Sequence, residues 1–355
     1  MRFIPTFCLR EGQILGKSLY NNYGGLILKE GSKIKGPYIK KIMELGFQGL
    51  YIIDDISQDI EIKNVISDEL KLESIAKIKN MFMNIENKNP IDKDMNNISN
   101  IAKNMADELV SNKHLMVNMI DIKSYDNYTY YHSVNVAVLS IIVGISSHLN
   151  RDELYKLAMG ALLHDVGKIF ISHNILNKND KLTNEEFEII KSHSTTGYKY
   201  LKSNFDVPIK SYIAALDHHE KYDGTGYPKN KVGENISLFG RIIAIADVYD
   251  ALISDRPYRK SILPANAIEY IMGGCDTHFD FNLVNLFIKK VAAYPIGTCV
   301  KLNNGLIGIV VENFSDASTR PKIRILNKND GKPNYINLRD DFRNNNLTII
   351  DVVNM

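Results

Sequence analysis

ELYKLAMGALLHDVGK, residues 153–168, decides the fold. Its apolar residues recur at i, i+3 and i+4, the spacing that lines one face of an α-helix. The helix runs into a histidine, an aspartate, a glycine and a lysine. The same period continues through HSVNVAVLSIIVGISSHL (132–149), NEEFEIIKSHSTTGYKYL (184–201), IKSYIAALDHHE (209–220) and LFGRIIAIADVYDALI (238–253). The middle of the chain is therefore an all-α helical bundle, bounded at 119–292. Thr183 three residues before Glu186 predicts a capping box opening one of its helices.

Working outward, residues 1–66 read as a small α+β unit. LYNNYGGLILKEGSKI has short apolar runs cut by Asn-Asn, Gly-Gly and Glu-Gly turn signals, which predicts hairpins. A helix over Tyr38–Leu45 and a strand in GLYIIDD follow. Residues 67–118, rich in Asn, Lys, Met and Ile, read as a helical connector that pairs two copies of the chain. A partly disordered linker is the alternative. Residues 293–355 return to strands: TCVKLNNGLIGIVVENF has an Asn-Gly turn between apolar runs, and KIRILNKNDGKPNYINL and NNLTIIDVV complete a small C-terminal β domain.

A chain of 355 residues is long enough for two or more domains. Its 45% hydrophobic and 24% charged residues are ordinary for a globular protein. A net charge of +2 gives no reason to expect a nucleic-acid polymer as partner. Three cysteines, Cys8, Cys275 and Cys299, form no CxxC pair, which fits a reducing cytoplasm. No export signal is visible at the start. The most apolar run, Val136 to Ile145, is shorter than the ~20 residues that cross a bilayer, so no membrane partner is expected.

The chemistry lies in HDVGK (164–168), HHEKYDGTGYP (218–228), His132, His193 and Asp247. Imidazoles and carboxylates at His132, His164, Asp165, His193, His218, His219 and Asp247 are the ligand types of a hydrolytic metal site. Two divalent ions can share them, and such pairs drive in-line attack on phosphoesters. Each element has a plainer reading beside it. HD and GK can be the polar end of a helix, with Lys168 one turn from His164 if the helix continues. His218 and His219 can be a surface pair; side chains of adjacent helical residues point about 100° apart, so both serve one site only where the helix turns. Gly224 and Gly226 supply that turn. Asp247 sits among apolar neighbours, and a buried carboxylate needs a metal or an ion pair, here with Arg256 or Arg259. His114, His148, His173 and His278 receive no role.

Together HDVGK, HHEKYDGTGYP and an aspartate followed by SDRPYR resemble the HD-GYP family, cyclic di-GMP phosphodiesterases within the HD metal-dependent phosphohydrolases. The resemblance covers 119–292. It implies that His132, His164, Asp165, His193, His218, His219 and Asp247 bind metal, with Asp165 bridging. Lys168 matches the family's active-site lysine, and Asp126, Arg256 and Arg259 match positions that contact the dinucleotide. Gly226-Tyr227-Pro228 becomes a loop brace and a docking surface for a diguanylate cyclase or another signalling protein. Tyr128 stands where some members carry a third-metal glutamate, which implies two ions, Fe or Mn. The expected reaction is attack by a metal-bridging hydroxide, giving linear pGpG, with GMP as a further product. Lys168 would stabilise charge on the phosphoryl oxygens. The alternatives are a silent cyclic-dinucleotide sensor and a hydrolase of another cyclic dinucleotide such as cyclic GMP-AMP. An HD hydrolase of guanosine tetraphosphate or deoxynucleotides is disfavoured by the GYP and RPYR segments.

Overall fold

A computed structural model describes residues 1–21, 25–118, 128–178, 180–204, 206–254, 261–326, 334–340 and 344–354. The chain divides into two compact units, one of Met1–Asn64, Leu115–Tyr128 and Ile288–Met355, the other of Val65–His114 and Thr129–Phe287.

The first unit carries the strands. β1 (Arg2–Pro5) and β2 (Ile14–Leu15) pair antiparallel with β5 (Gly49–Ile53), and β3 (Leu19–Tyr20) pairs with β4 (Leu26–Leu28). The helix expected from Tyr38 begins slightly earlier, as α1 (Gly36–Glu44), because Pro37 suits a first helical turn. Ile4, Leu15, Ile34, Ile42, Leu50 and Ile52 form the core of this part. Asn22, Tyr23 and Gly24, within the expected turn signals, lie outside the described residues.

The C-terminal part of the same unit is a five-stranded antiparallel sheet. It contains β6 (Cys299–Leu302), β7 (Ile307–Glu312), β8 (Lys322–Ile325), β9 (Asn334–Asn337) and β10 (Ile349–Val352), in the order β10-β6-β7-β8-β9. The expected Asn-Gly turn joins β6 to β7, with Gly305 at φ +86°.

The second unit is all-α. In chain order its helices are α2 (Asp68–Glu86), α3 (Asp92–Ser111), α4 (Tyr128–Ser146), α5 (Arg151–Leu163), α6 (His173–Leu176), α7 (Asn184–Asn204), α8 (Ile209–Asp217), α9 (Leu238–Ile253), α10 (Pro264–Gly273) and α11 (Phe281–Ile288). α5 lies against α3 and α8, and α8 against α7 and α9. The stretch read as a connector forms α2 and α3. These pack on each other and bury Ile78, Met81, Ile98 and Met105 within this unit.

Capping follows the sequence. Glu186 N donates to Thr183 Oγ1 at 3.2 Å, and Thr183 N donates back to Glu186 Oε2 at 2.7 Å. A second capping box, Asn150 with Glu153, opens α5. The apolar run Val136–Ile145 lies within α4, as expected. Thr129–Ser146 has the length and composition to cross a membrane, and 72% of it is buried inside the protein. Burial in the bundle accounts for its apolar character.

Candidate metal centre

Six elements deliver eight polar side chains to one point. α4 supplies His132, the end of α5 supplies His164 and Asp165, and a 3₁₀ turn over Val166–Phe170 supplies Lys168. α7 carries His193, the end of α8 His218 and His219, and α9 Asp247. All seven expected ligands converge here.

The helix does not continue to Lys168. Because the chain tightens into a 3₁₀ turn, positions i and i+3 eclipse, and Lys168 Nζ reaches Asp165 Oδ2 at 2.5 Å instead of aligning with His164. Gly167 lets this turn approach α7. A Cβ there would collide with the His193 carbonyl and the Gly197 nitrogen. α8 ends at Asp217, so His218 and His219 leave the helix together and their ring centroids lie 4.0 Å apart. Gly224 turns the following loop with φ +83°, whereas Gly226 supplies room, since a Cβ there would strike the backbone of Glu220 and Lys221.

Asp165 faces two ways. Its Oδ2 lies 3.3 Å from His164 Nε2 and 4.0 Å from His132 Nε2. Its Oδ1 lies 3.4 Å from His193 Nε2 and 3.9 Å from His218 Nε2. Two groups of potential ligands therefore share it: His132, His164 and Asp165, and Asp165, His193, His218 and His219. Asp247 joins from the other side, 3.0 Å from His132 Nε2 and 4.0 Å from His219 Nδ1.

Comparison with known proteins fits this geometry. A family model of the HD domain matches residues 86–283, more than half of the chain, and one of the KOW domain associated with HD domain matches 299–355. The chain belongs to the HD-domain family. Over 227 residues it is 35% identical to the cyclic di-GMP phosphodiesterase PA4108 of Pseudomonas aeruginosa, covering 64% of this chain and 55% of that one. Over 203 residues it is 36% identical to the cyclic di-GMP phosphodiesterase PdeB of Borreliella burgdorferi, covering 57% and 53%. The 3'3'-cGAMP-specific phosphodiesterase 1 of Vibrio cholerae is 39% identical over 157 residues, covering 44% and 36%. The chain spans about half the length of the first two of these relatives. Among solved structures, an HDG"Y"P protein from Bdellovibrio bacteriovorus shares the fold. Its TM-score is 0.51 at 19% identity, covering 80% of this chain and 97% of that one.

The HD-domain site suits divalent metal. His164 Nδ1 donates to the Ala161 carbonyl at 2.7 Å, His193 Nδ1 to Ile190 at 2.6 Å and His218 Nδ1 to Ala215 at 2.9 Å. A carbonyl only accepts, so each Nδ1 carries a proton and each Nε2 is turned into the cluster. Buried His164 Nε2 and Asp165 Oδ1 have no hydrogen-bond partner among the described residues, and an ion would satisfy both. Burial would raise the carboxyl of Asp165, yet Lys168, His164 and His193 outweigh it and hold the group well below the usual carboxylate range. Asp247 is likewise held low against burial, chiefly by its hydrogen bond to His132. Burial pushes His193 down to about 4 and His219 to about 3, and it lowers His218 as well. In these three neutral imidazoles and two ionised carboxylates the protonation states are those a metal requires.

Several contributors were not singled out in the sequence. Asp250, fully buried, accepts from His132 Nδ1 at 2.8 Å and from Asn135 Nδ2 at 2.7 Å. Their spacing offered a signal: Asn135 follows His132, and Asp250 follows Asp247, by three residues on otherwise apolar helices. Asp217 and Glu220 anchor the loop after the histidine pair. Lys231 Nζ lies 2.8 Å from both Asp217 oxygens, and the Glu220 carboxylate accepts from the Lys229 and Lys231 backbone N–H groups. Tyr227 of the GYP segment packs on His219, ring centroids 4.8 Å apart. His278, given no role, closes on the same loop through its carbonyl, which accepts from Tyr222 N at 3.1 Å. Asp126, Arg256, Arg259 and the side chain of Tyr128 lie outside the described residues.

Proposed function

We propose that this chain is an HD-GYP-type phosphodiesterase that opens cyclic di-GMP to linear pGpG. The observation that carries the reading is Asp165, one oxygen toward His132 and His164 and the other toward His193 and His218. One buried carboxylate so placed suits two ions held side by side. His132, His164, Asp165 and Asp247 would hold one, and Asp165, His193, His218 and His219 the other, with Fe or Mn fitting these ligands. The bound ions supply the Lewis acidity that activates water toward a phosphodiester.

The protein's own part is positional and electrostatic. The Nδ1–H bonds fix the rings, burial keeps bulk water from the ligands, and Lys168 places a positive charge beside the bridging carboxylate. There it can meet the phosphoryl oxygens as negative charge develops. Asp126, Arg256 and Arg259 are proposed to contact the dinucleotide. The names of the relatives point to two substrates, cyclic di-GMP and 3'3'-cGAMP.

The test is turnover by the purified chain loaded with Mn²⁺ or, anaerobically, Fe²⁺. Cyclic di-GMP should be linearised faster than 3'3'-cGAMP. The reverse order would move the assignment to cyclic GMP-AMP. Tight binding without turnover under both conditions would identify a sensor.

A further inference from the structure

His132 differs from its neighbours in how it is held. His164, His193 and His218 each lean on a backbone carbonyl three residues earlier, whereas His132 Nδ1 meets a carboxylate from another helix. For His164 and His218 the carbonyl lies in the last turn of a helix, where intrahelical donors run out. His132 lies inside α4, and Asp250 reaches it from α9. Asp250 is fixed in turn by Asn135, one turn along α4 from His132. The three form a buried chain: Asn135 Nδ2 donates to Asp250 Oδ1, and Asp250 Oδ2 accepts from His132 Nδ1, leaving Nε2 facing Asp165 and Asp247.

We infer that Asp250 is a positioning residue for one of the two metal ions, holding His132 with Nδ1 protonated so that Nε2 is the nitrogen presented to the ion. The inference rests on the two-metal reading above but not on the identity of the substrate. A carboxylate behind a histidine fixes its tautomer and makes its other nitrogen a better donor than a carbonyl does. The site of His132, His164 and Asp165 therefore depends on Asp250, and the site of His193, His218 and His219 does not.

Asp250→Asn tests this with little change of shape. With its oxygen toward Asn135, the new amide turns its NH₂ to His132 Nδ1 and forces the proton onto Nε2, where it blocks a metal. Cobalt(II) titration of the full chain, followed by calorimetry and visible absorption, should find two ions on the wild type. On Asp250→Asn one should bind roughly 10- to 100-fold more weakly and the other unchanged. His193→Ala, which removes a ligand of the other group, identifies which ion is which. The exchanged pair Asn135→Asp with Asp250→Asn returns an acceptor to His132 and should restore the first ion. Equal weakening of both ions, no weakening, or failure of the exchange to restore binding would each overturn the proposal.

A wild-type measurement protects the test against loss of folding. In zinc-loaded protein labelled with ¹⁵N-histidine, long-range ¹⁵N–¹H spectra should show His132 protonated at Nδ1, and protonation at Nε2 would overturn the proposal. A wild type that binds both ions yet leaves cyclic dinucleotides intact removes the proposed function and leaves Asp250 in its role. A wild type that binds no ion removes both.

Discussion

Asp165 and Lys168 lie 2.5 Å apart, yet their substitution should have different consequences. Asp165 is inside both ligand groups, so Asp165→Ala removes a donor from each. Turnover should vanish and bound metal should fall below one ion per chain by elemental analysis, whereas retained activity would remove its bridging role. Lys168 is a member of neither group. Lys168→Met should leave metal content unchanged and lower kcat by about 10²–10³, as for loss of one transition-state electrostatic contact. A parallel loss of metal would make the lysine part of the ligand scaffold. The residues that converge at the candidate site were legible in the sequence because histidines and aspartates on apolar helices are chemically conspicuous. Asp250 was equally conspicuous by type, but its meaning depends on His132, 118 residues away in the chain.

The elements bring these residues together through close backbone approach. The 3₁₀ turn after α5 sits on α7 because Gly167 and Gly197 have no side chains there. Gly167→Ala places a methyl group against the His193 carbonyl, and the turn or the helix must yield. Unfolding free energy should drop by about 1–3 kcal/mol, read as a lower urea midpoint with unchanged slope. An unchanged midpoint would show that the contact relaxes without cost. Periodicity predicted the long helices of the bundle well, since they bury apolar faces. It could not foresee that the helix would tighten after Leu163, because the tightening comes from packing against α7.

At the scale of the whole molecule, the cluster ties stability to pH and metal. His193 and His219 have folded values of about 4 and about 3, and His218 is also lowered, all through burial first. As pH falls through the unfolded value of about 6.5, the unfolded chain takes up protons that the folded one refuses. Stability is therefore lost with falling pH. His193 alone accounts for on the order of 3 kcal/mol between pH 6.5 and 4. Asp165 and Asp247, held low, add a further loss as pH drops below the ordinary carboxylate range. His132 has the opposite sign. Burial lowers it, but Asp247 and Asp250 together raise it, so its contribution is present below about 6.5 and lost as pH rises through its raised value. Three lowered histidines against one raised one give a net loss on acidification. Metal-free protein should have a lower urea midpoint at pH 5 than at pH 7.5, and a flat or rising midpoint would contradict the depressed values. Saturating Mn²⁺ at pH 7.5 should raise the midpoint by mass action.

The sequence by itself determined the central all-α bundle, the small α+β and β parts before and after it in the chain, and the inventory of seven candidate metal ligands. These follow from local periodicity, turn chemistry and residue type. Only the tertiary structure decided that Asp165 faces both ligand groups and that Lys168 lies beside it. It also assigned α2 and α3 to the helical unit, and Asp250 to a place behind His132. Each of these depends on distances between segments far apart in the chain, which packing sets and local sequence does not encode.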